Sequence, residues 1–433
     1  MPKLPTNPPI GMRDFLASDM IKREFVINRI KSVFEKFGFD PWETPAVERF
    51  EVLQGKYGEE EKLIYKFQDL GNRWLALRYD LTVPLARVVA RFPQLPKPIK
   101  RYQISRVWRY ERKQRGRYKE FWQCDVDIVG SKSMLADAEI IAVVYEVMKE
   151  LGFEEFRIRI NNRKLLDGLV RYAGVKEGMV IQAFRAIDKL EKIGEDGVRE
   201  ELTKRGISKT STEKIMKIIK IQGKSEVLDE VEKFIKDKVG KEGIEELREL
   251  ISYLDFFNIN QKFVVIDLSL VRGLDYYTGP IYETVVTKPK IGSLTGGGRY
   301  DKLIGMFTGV DITATGTSIG IERVIDVMNE LGMLKGLKKT YTKVFIAYTS
   351  DSLIKYCIKL ANELRINGIP CQIDLMGRNL DKQLKYADSV GIPFVIIVGE
   401  RELKKGMFTV RDMEKRKETK VKKNDLINFL SQS

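Results

Sequence analysis

The stretch VWRYERKQRGRYKEFWQCDVDIVG, Val107–Gly130, decides the fold, because polar and apolar residues alternate on either side of a basic centre. Successive side chains of a strand point to opposite faces, so Arg109 and Glu111 share one face of the first half. The second half likewise places four residues on one face, namely Phe121, Gln123, Asp125 and Asp127. The pattern predicts two antiparallel strands joined by a charged loop. An ordinary hairpin with a charged turn is the simpler interpretation, but charges clustered on facing strands need partners when buried, which favours a binding site.

The sequence around this hairpin predicts an α+β domain built on an antiparallel sheet. Residues 21–37 repeat apolar side chains at helical spacing and are followed by Gly38, a typical helix end. Further alternating runs occur at Arg73–Leu77, Arg101–Arg109 and Tyr118–Val129. No Gly-rich P-loop and no GxGxxG opens a helix, so neither common nucleotide-binding loop is indicated.

Changes in composition divide the chain into four segments. Residues 161–258 are rich in Lys, Glu, Ile and Leu at helical period and predict a helical insertion, which separates a first catalytic part, residues 1–160, from a second, residues 259–335. After a linker, residues 342–433 alternate short apolar strands with helices. That alternation predicts a separate C-terminal α/β domain.

Composition excludes several kinds of chemistry. The chain of 433 residues contains no histidine and three scattered cysteines, so Ser-His-Asp hydrolysis, a Cys/His zinc site and a disulfide framework are excluded. A net charge of +15 favours a polyanionic partner, although a Lys- and Glu-rich solvated surface would also produce it. No apolar run is long enough for a membrane span or a secretory signal, so we expect no membrane association and a cytoplasmic protein.

Val107–Gly130 closely resembles motif 2 of the class II aminoacyl-tRNA synthetases. Phe37–Glu48, with Pro45, resembles motif 1, and Gly316–Met328 resembles motif 3. The resemblance implies that Arg109 binds the α-phosphate of ATP, Glu111 the adenine amino group and Phe121 the adenine face. It also implies that Arg323 lies under the adenine ring and that Arg117 belongs to the ATP-binding set. The loop Lys113–Arg117 would approach the acceptor end of tRNA, and motif 1 would form a homodimer interface.

Within that class, three segments resemble the histidyl-tRNA synthetases: LRYDLTVPLAR (Leu77–Arg87), LVRGLDYYTG (Leu270–Gly279) and TGGGRYDKL (Thr295–Leu303). GMRDF, Gly11–Phe15, fits the opening of that family as well. Without the surrounding match, the pair Tyr276-Tyr277 would be interpreted as core or interface aromatics.

This resemblance implies a reaction and a set of residues. Histidine and ATP would form histidyl-adenylate and pyrophosphate, and histidine would then pass to the 3′ end of tRNA(His). Asp80, Thr82 and Gln123 would hold the α-amino group of histidine. Asp127 and Tyr277 would meet the imidazole, with Tyr276 and Tyr300 as neighbouring wall. Arg109 and Arg272 would be the catalytic pair that clamps the α-phosphate, Mg²⁺ would accompany the other phosphates, and the protein alone would supply no metal site.

The C-terminal domain resembles the anticodon-binding domain of several class II synthetases. Its candidate RNA contacts are Arg378, Lys382, Lys385, Arg401, Lys404 and Lys405, although a solvated charged surface would explain any one of them. One departure from the family is Trp122, where many relatives have histidine; we expect it to alter packing only. Two rivals remain: a catalytically silent regulatory paralogue, and a threonyl-, prolyl- or glycyl-tRNA synthetase.

Overall fold

The computed structural model describes residues 4–111, 116–272 and 276–432. The chain divides into two compact units, one of Met1–Asp14 with Phe25–Met333, the other of Phe15–Glu24 with Leu334–Ser433. The sequence analysis assigns residues 1–160 to the catalytic domain, whereas residues 15–24 group with the C-terminal unit. The reason lies in the first helix, α1 (Ala17–Lys36), whose start belongs to one unit and whose remainder belongs to the other.

The described residues of the first unit form twelve strands. They are β1 (Asp40–Pro41), β2 (Val47–Arg49), β3 (Lys66–Gln68), β4 (Trp74–Leu77), β5 (Ile99–Trp108), β6 (Glu120–Val129), β7 (Arg157–Asn162), β8 (Gln222–Gly223), β9 (Val264–Asp267), β10 (Pro280–Val285), β11 (Thr295–Arg299) and β12 (Ala314–Gly320). Its helices after α1 are α2 (Phe50–Leu53), α3 (Thr82–Arg91), α4 (Met134–Glu150), α5 (Arg163–Tyr172), α6 (Val180–Ile187), α7 (Leu190–Lys204), α8 (Lys209–Ile218), α9 (Glu226–Glu232), α10 (Lys238–Phe256), α11 (Gly305–Thr308) and α12 (Ile321–Glu330).

Nine strands form one sheet in the order β1-β5-β6-β12-β11-β10-β7-β9-β8. The pairs β1–β5 and β7–β9 are parallel, and the run from β5 to β7 is antiparallel throughout. The predicted α+β domain on an antiparallel sheet is therefore confirmed. The remaining three strands form a small antiparallel sheet in the order β2-β4-β3.

The predicted hairpin is β5 and β6, but its first strand ends earlier than the alternation suggests. We expected Arg109 and Glu111 to share a face of a strand, whereas β5 ends at Trp108. The backbone N–H of Glu111 donates to the carbonyl oxygen of Arg109 at 2.7 Å, so the chain turns there. A hydrogen bond between backbone groups two residues apart closes a tight turn. The backbone is therefore not extended at this point, and the two side chains do not share a face.

The two faces of the nine-stranded sheet differ in composition. Cross-strand partners point to the same side, and the pairing Asp127–Gly316–Gly298–Ile281 therefore defines one face across four strands. The opposite face is covered by helices, and there the carboxylate of Asp137 on α4 accepts from the Nε of Arg299 at 3.0 Å. Because α4 covers that side, the first face is the one left for a ligand.

The predicted helical insertion is confirmed between β7 and β9. It comprises α5 to α10, with α5 capped by the Asn162 side chain, which accepts from the backbone N–H of Lys164. Helices α5 and α10 approach closely at Gly243, where an added Cβ would lie 3.1 Å from the Cα of Leu165. The two-residue strand β8 pairs Gln222 with Asp267 and joins the insertion to the edge of the large sheet.

The C-terminal unit is the predicted α/β domain. Its strands are β13 (Val344–Tyr348), β14 (Cys371–Ile373), β15 (Phe394–Val398), β16 (Met407–Asp412) and β17 (Lys417–Lys422). Its helices are α13 (Ile354–Ile366), α14 (Leu380–Val390), α15 (Glu400–Lys405) and α16 (Leu426–Gln432). The strand order is β14-β13-β15-β16-β17, parallel for the first three and antiparallel for the rest. Within the described parts of both units, no helix is long and apolar enough to cross a membrane.

Candidate active site

A cavity of about 890 Å³ opens on the uncovered face of the nine-stranded sheet. Every site residue predicted from the sequence contributes to its lining: Asp80, Thr82, Arg109, Glu111, Arg117, Phe121, Gln123, Asp127, Arg272, Tyr276, Tyr277, Tyr300 and Arg323. These residues come from segments more than two hundred positions apart in the chain. The fold therefore brings together all thirteen predicted side chains.

The floor of the cavity is formed by residues with little or no side chain. Gly296 on β11 pairs with Ser318 on β12, and Gly298 pairs with Gly316, so four small residues share the cavity face. The guanidinium of Arg272 lies against Gly296, where an added Cβ would stand 2.5 Å from its Cζ. A larger residue at this position would therefore occupy the place of the arginine. The absence of a side chain at Gly296 therefore makes room for the protein's own arginine.

Two buried side-chain oxygens lie at one end of the cavity, one from the carboxylate of Asp80 and one from the carboxamide of Gln123. Asp80 accepts from the Tyr57 hydroxyl and from the Val83 backbone N–H, each at 3.0 Å, through Oδ1. The Gln123 amide donates through Nε2 to the Ser318 hydroxyl at 2.7 Å. Within the described parts of the chain, Oδ2 of Asp80 and Oε1 of Gln123 have no hydrogen-bond partner. Buried acceptors without partners are costly, so this end suits a ligand with several N–H donors.

A second carboxylate, Asp127, lies deeper in the same cavity. Arg101 stands directly opposite it on β5 and approaches its Oδ2 to 2.9 Å, while the Tyr300 hydroxyl donates to its Oδ1 at 2.5 Å. Both Arg101 and Asp127 are almost fully buried. Burial raises the pKa of Asp127, and the Arg101 charge opposes that shift. The arginine therefore favours an ionised acceptor at the bottom of the pocket.

Aromatic rings form one wall beside Asp127. The rings of Tyr276 and Tyr277 have centroids 4.9 Å apart, and Tyr276 meets Tyr300 edge-on at 6.1 Å. Burial raises the pKa of Tyr277 above its usual value, so its hydroxyl remains protonated. Tyr276 and Tyr277 both line the cavity.

The Arg109 guanidinium is held by a hydrogen bond to a backbone carbonyl oxygen and by contacts with two aromatic rings. Its Nε donates to the Tyr79 carbonyl oxygen at 3.1 Å, and its Cζ lies 4.3 Å from the Tyr79 ring centroid and 5.2 Å from that of Phe121. Phe121 therefore already has a cationic neighbour on one side. A guanidinium fixed in this way is suited to binding a phosphate without reorganisation.

The outer part of the cavity contains the other predicted nucleotide-binding residues. Arg117 forms an ion pair with Glu111 at 3.2 Å. Arg323 donates through Nη1 to the Ser293 carbonyl oxygen at 2.6 Å and through Nε to that of Gly116 at 3.3 Å. Residues 113–115 of the loop expected to approach tRNA lie outside the described residues.

A network of charged residues that was not predicted from the sequence lies on the far side of the floor. Arg159 on β7 binds Asp267 at 2.8 Å, Glu283 at 3.3 Å and, in the insertion, Glu191 at 2.5 Å. Glu283 in turn pairs with Arg272 at 3.3 Å. The insertion thus reaches the cavity and connects to Arg272 through alternating charges. Arg101 and Arg159 each occupy a strand position that alternation alone places on the polar face, which is the signal that could have identified them.

The ring of Trp122 is not among the side chains that line the cavity in the described part of the chain. Its neighbours Phe121 and Gln123 line the cavity, whereas its own ring contacts the Arg106 guanidinium at 5.5 Å. Its backbone N–H donates to Glu322 at 3.0 Å. The substitution at this position leaves the cavity face of β6 unchanged.

Comparisons with known proteins identify the family of this chain. The family model for histidyl-tRNA synthetase matches residues 11–324, and that for an anticodon binding domain matches residues 343–433. A histidine–tRNA ligase of Aeropyrum pernix is 47% identical over 410 residues, 93% of either chain. One of Korarchaeum cryptofilum is 44% identical and covers 98% of this chain and 99% of its own. A crystal structure of histidyl-tRNA synthetase from Nostoc sp. PCC 7120 superposes with a TM-score of 0.86 at 34% identity, covering 99% of this chain and 100% of that one. The chain therefore belongs to the histidyl-tRNA synthetase family.

Proposed function

We propose that the chain is a histidine–tRNA ligase that activates histidine with ATP and transfers it to the 3′ end of tRNA(His). The observation that carries the proposal is the polarity of the cavity. Within the described residues, the buried acceptors Asp80 Oδ2 and Gln123 Oε1 have no hydrogen-bond partner, and they lie in the same cavity as the guanidinium groups of Arg109 and Arg272. Acceptors suit the amino group of the amino acid, and the arginines suit the phosphates of ATP.

Histidine fits the acceptor end through both of its nitrogen-bearing groups. We assign its ammonium group to Asp80, Thr82 and Gln123, and its imidazole N–H to Asp127 and Tyr277. Tyr276 and Tyr300 then form the wall beside the ring. An analogue without ring nitrogens would offer no N–H group to the buried Asp127 carboxylate. The loss of such a hydrogen bond can favour histidine over the analogue by up to about 10⁴–10⁵-fold.

ATP occupies the rest of the cavity in this proposal. The adenine lies between Phe121 and Arg323, with Glu111 accepting from its amino group and Arg117 beside it. Arg109 and Arg272 hold the α-phosphate from two sides. A carboxylate oxygen of histidine attacks the α-phosphorus, the bond to the pyrophosphate oxygen breaks, and the arginines neutralise the charge that develops. No proton needs to move, so the step requires no imidazole from the enzyme.

Mg²⁺ would enter this reaction bound to the β- and γ-phosphates of ATP, as part of the substrate. The carboxylates at the nucleotide end already serve arginines, since Glu111 pairs with Arg117 and Glu283 with Arg272. Within the described residues, no group of three or more His, Cys, Asp or Glu is arranged to hold a metal.

Histidine-dependent exchange of pyrophosphate into ATP tests the proposal most directly. The purified chain should catalyse exchange with histidine and not with threonine, proline or glycine. A regulatory paralogue would show none with any amino acid, and a related synthetase would respond to another one. Arg272→Ala should reduce the turnover number by roughly 10²–10³-fold while changing the KM for ATP much less. An equal loss in both would contradict its role at the transition state.

The C-terminal unit supplies the proposed contacts with tRNA. Lys382 and Lys385 lie on α14, and Arg401, Lys404 and Lys405 on α15, while the Arg378 guanidinium lies 4.2 Å from the Tyr386 ring. Leu375 and Met376, on the loop between β14 and α14, are 87% and 72% exposed. Exposed apolar side chains beside cations are suited to unstacked bases.

A homodimer through motif 1 is the remaining part of the proposal. Motif 1 contributes β2 to the small sheet, and Val47 (39% exposed) and Phe67 (42% exposed) lie on the same face of that sheet. A second copy covering this face would bury both side chains. Analytical ultracentrifugation should give a dimer near 100 kDa, twice the 50.0 kDa chain, and Phe67→Glu should weaken that dimer. A monomer at micromolar concentration would contradict the proposal.

A further inference from the structure

A further buried carboxyl group, that of Asp125, lies beside Asp127 on β6, and the proposed reaction gives it no role. Gln123, Asp125 and Asp127 follow one another on the cavity face of β6. Asp125 is 2% exposed, and its cross-strand partners are Gln103 on β5 and Ser318 on β12. Unlike Asp127, it has no arginine opposite it. A buried carboxyl group without a cationic partner requires an explanation.

Ser318 connects this carboxyl group to a proposed ligand-binding residue. Ser318 stands directly opposite Asp125 on the neighbouring strand, and its hydroxyl lowers the pKa of that carboxyl group, as a donor to the ionised form does. The same hydroxyl accepts from Nε2 of Gln123 at 2.7 Å. An ionised carboxylate only accepts hydrogen bonds, so the serine must give it its one proton. The serine oxygen can then only accept from Gln123, which forces the NH₂ side of the amide toward Ser318. The carbonyl oxygen Oε1 is therefore directed away from the serine, and among the described residues it has no hydrogen-bond partner.

We propose that Asp125 is a positioning residue that fixes the amide orientation of Gln123 through Ser318, and so presents an acceptor to the ammonium group of the substrate. The inference rests on the proposed function, because it assigns Gln123 to the α-amino group of histidine. Reversal of the amide would present an NH₂ group to a cation, which turns an attraction into a repulsion.

The protonation state of Asp125 makes this orientation depend on pH. Burial and then the Asp127 charge raise the pKa of Asp125 to about 7, against the lowering effects of Arg101 and Ser318. Asp80 adds a smaller raising effect, and Gln103, on the other side, donates to Glu43 at 3.2 Å. A protonated Asp125 can donate to Ser318, whose hydroxyl is then free to donate to Oε1 of a reversed Gln123. Histidine binding should therefore weaken as pH falls through about 7.

The test measures the KM for histidine in pyrophosphate exchange from pH 6 to 8.5 for the full chain and two variants, Asp125→Ala and Ser318→Ala. At pH 8 each variant should raise that KM by roughly 10- to 100-fold, the value of one hydrogen bond to a charged group, with the turnover number and the KM for ATP nearly unchanged. The ratio of variant to wild-type KM should fall toward one at pH 6, because the wild type also loses the orientation there. Taking the ratio cancels the titration of the substrate's own imidazole.

Two comparisons separate positioning from a general loss of packing. Val126 lies on the opposite face of the same strand, so Val126→Ala should give a ratio of variant to wild-type KM for histidine that does not change with pH. The double variant Asp125→Ala/Ser318→Ala should be no worse than either single variant, since both break one chain of bonds. A pH-independent ratio for both single variants, or additive effects in the double variant, would overturn the inference. Absence of histidine-dependent exchange in the wild type would instead overturn the proposed function.

Discussion

Gly296→Ala tests the proposed catalytic role of Arg272 without replacing the arginine itself. The new Cβ would lie 2.5 Å from the Cζ of Arg272, far inside van der Waals contact. Strand β11 is paired on both sides, so the flexible end of Arg272 must move and not the backbone. The displacement breaks the 3.3 Å ion pair with Glu283 and removes the guanidinium from the floor of the cavity.

The expected magnitude follows from what is lost. Removing one preorganised donor to a developing charge costs about 3 kcal/mol, or 10²–10³-fold in turnover. We expect a loss of that size in histidine-dependent exchange, with a KM for ATP changed by less than about threefold because the other contacts remain. The free energy of unfolding should change by no more than about 1 kcal/mol, since alanine is otherwise favoured over glycine in a strand.

The controls use the neighbouring glycine and the arginine. An added Cβ at Gly297 would lie 2.6 Å from the Cα of Thr317, which is backbone of the next strand, so Gly297→Ala should lower stability by about 1–3 kcal/mol. Combining Gly296→Ala with Arg272→Ala should add nothing to the loss caused by Arg272→Ala alone. If the Gly296→Ala variant is folded and its turnover number lies within threefold of the wild-type value, the proposed role of Arg272 against Gly296 is wrong.

Three further results are expected. Glu191→Gln should lower the turnover number several-fold without unfolding the chain, because it removes the 2.5 Å ion pair by which the insertion holds Arg159; unchanged turnover would show that the network ends at Arg159. Asp125→Asn should stabilise the fold above pH 7 and lose that advantage as pH falls toward 4. The pKa of Asp125 is raised in the folded protein, so ionisation of this carboxyl group destabilises the folded state. Thermal unfolding measured across this pH range without such a trend would contradict the prediction. Lys404→Glu with Lys405→Glu should raise the KM for tRNA in charging while leaving exchange unchanged; equal effects on both assays would argue against an RNA-binding role.

Local periodicity was sufficient to predict the elements of the fold. Alternation over residues 118–129 identified β6, helical spacing identified the insertion, and short apolar runs identified β13 and β15. The error at Arg109 has a physical cause. Alternation in sequence persists past Trp108, but the backbone turns where Glu111 bonds to Arg109, and a turn of this kind leaves no trace in the apolar pattern.

The predicted site residues came from family resemblance, and the cavity brings all of them together. The residues that support them were not predicted, because their role depends on which strands are neighbours. Arg101 meets Asp127 only through the register of β5 and β6, and Ser318 meets Asp125 across a separation of 193 positions. Pairing between distant strands is set by the whole fold, so the sequence could place these residues on a polar face but could not name their partners.

The absence of histidine from all 433 residues makes the site unusually accessible to measurement. Histidine is the side chain whose ordinary pKa lies in the neutral range, and here only a bound substrate supplies one. Burial raises the pKa of Cys357 to about 11, which removes its thiol from that range. Asp125, with a pKa raised to about 7, is then one side chain expected to titrate near neutral pH, and burial also raises the pKa of Asp80 and of Asp127 in the cavity. A change in activity between pH 6 and 8 therefore combines the titration of the substrate's imidazole with that of carboxyl groups of the protein, and substituting Asp125 isolates the contribution of the carboxyl group behind Gln123.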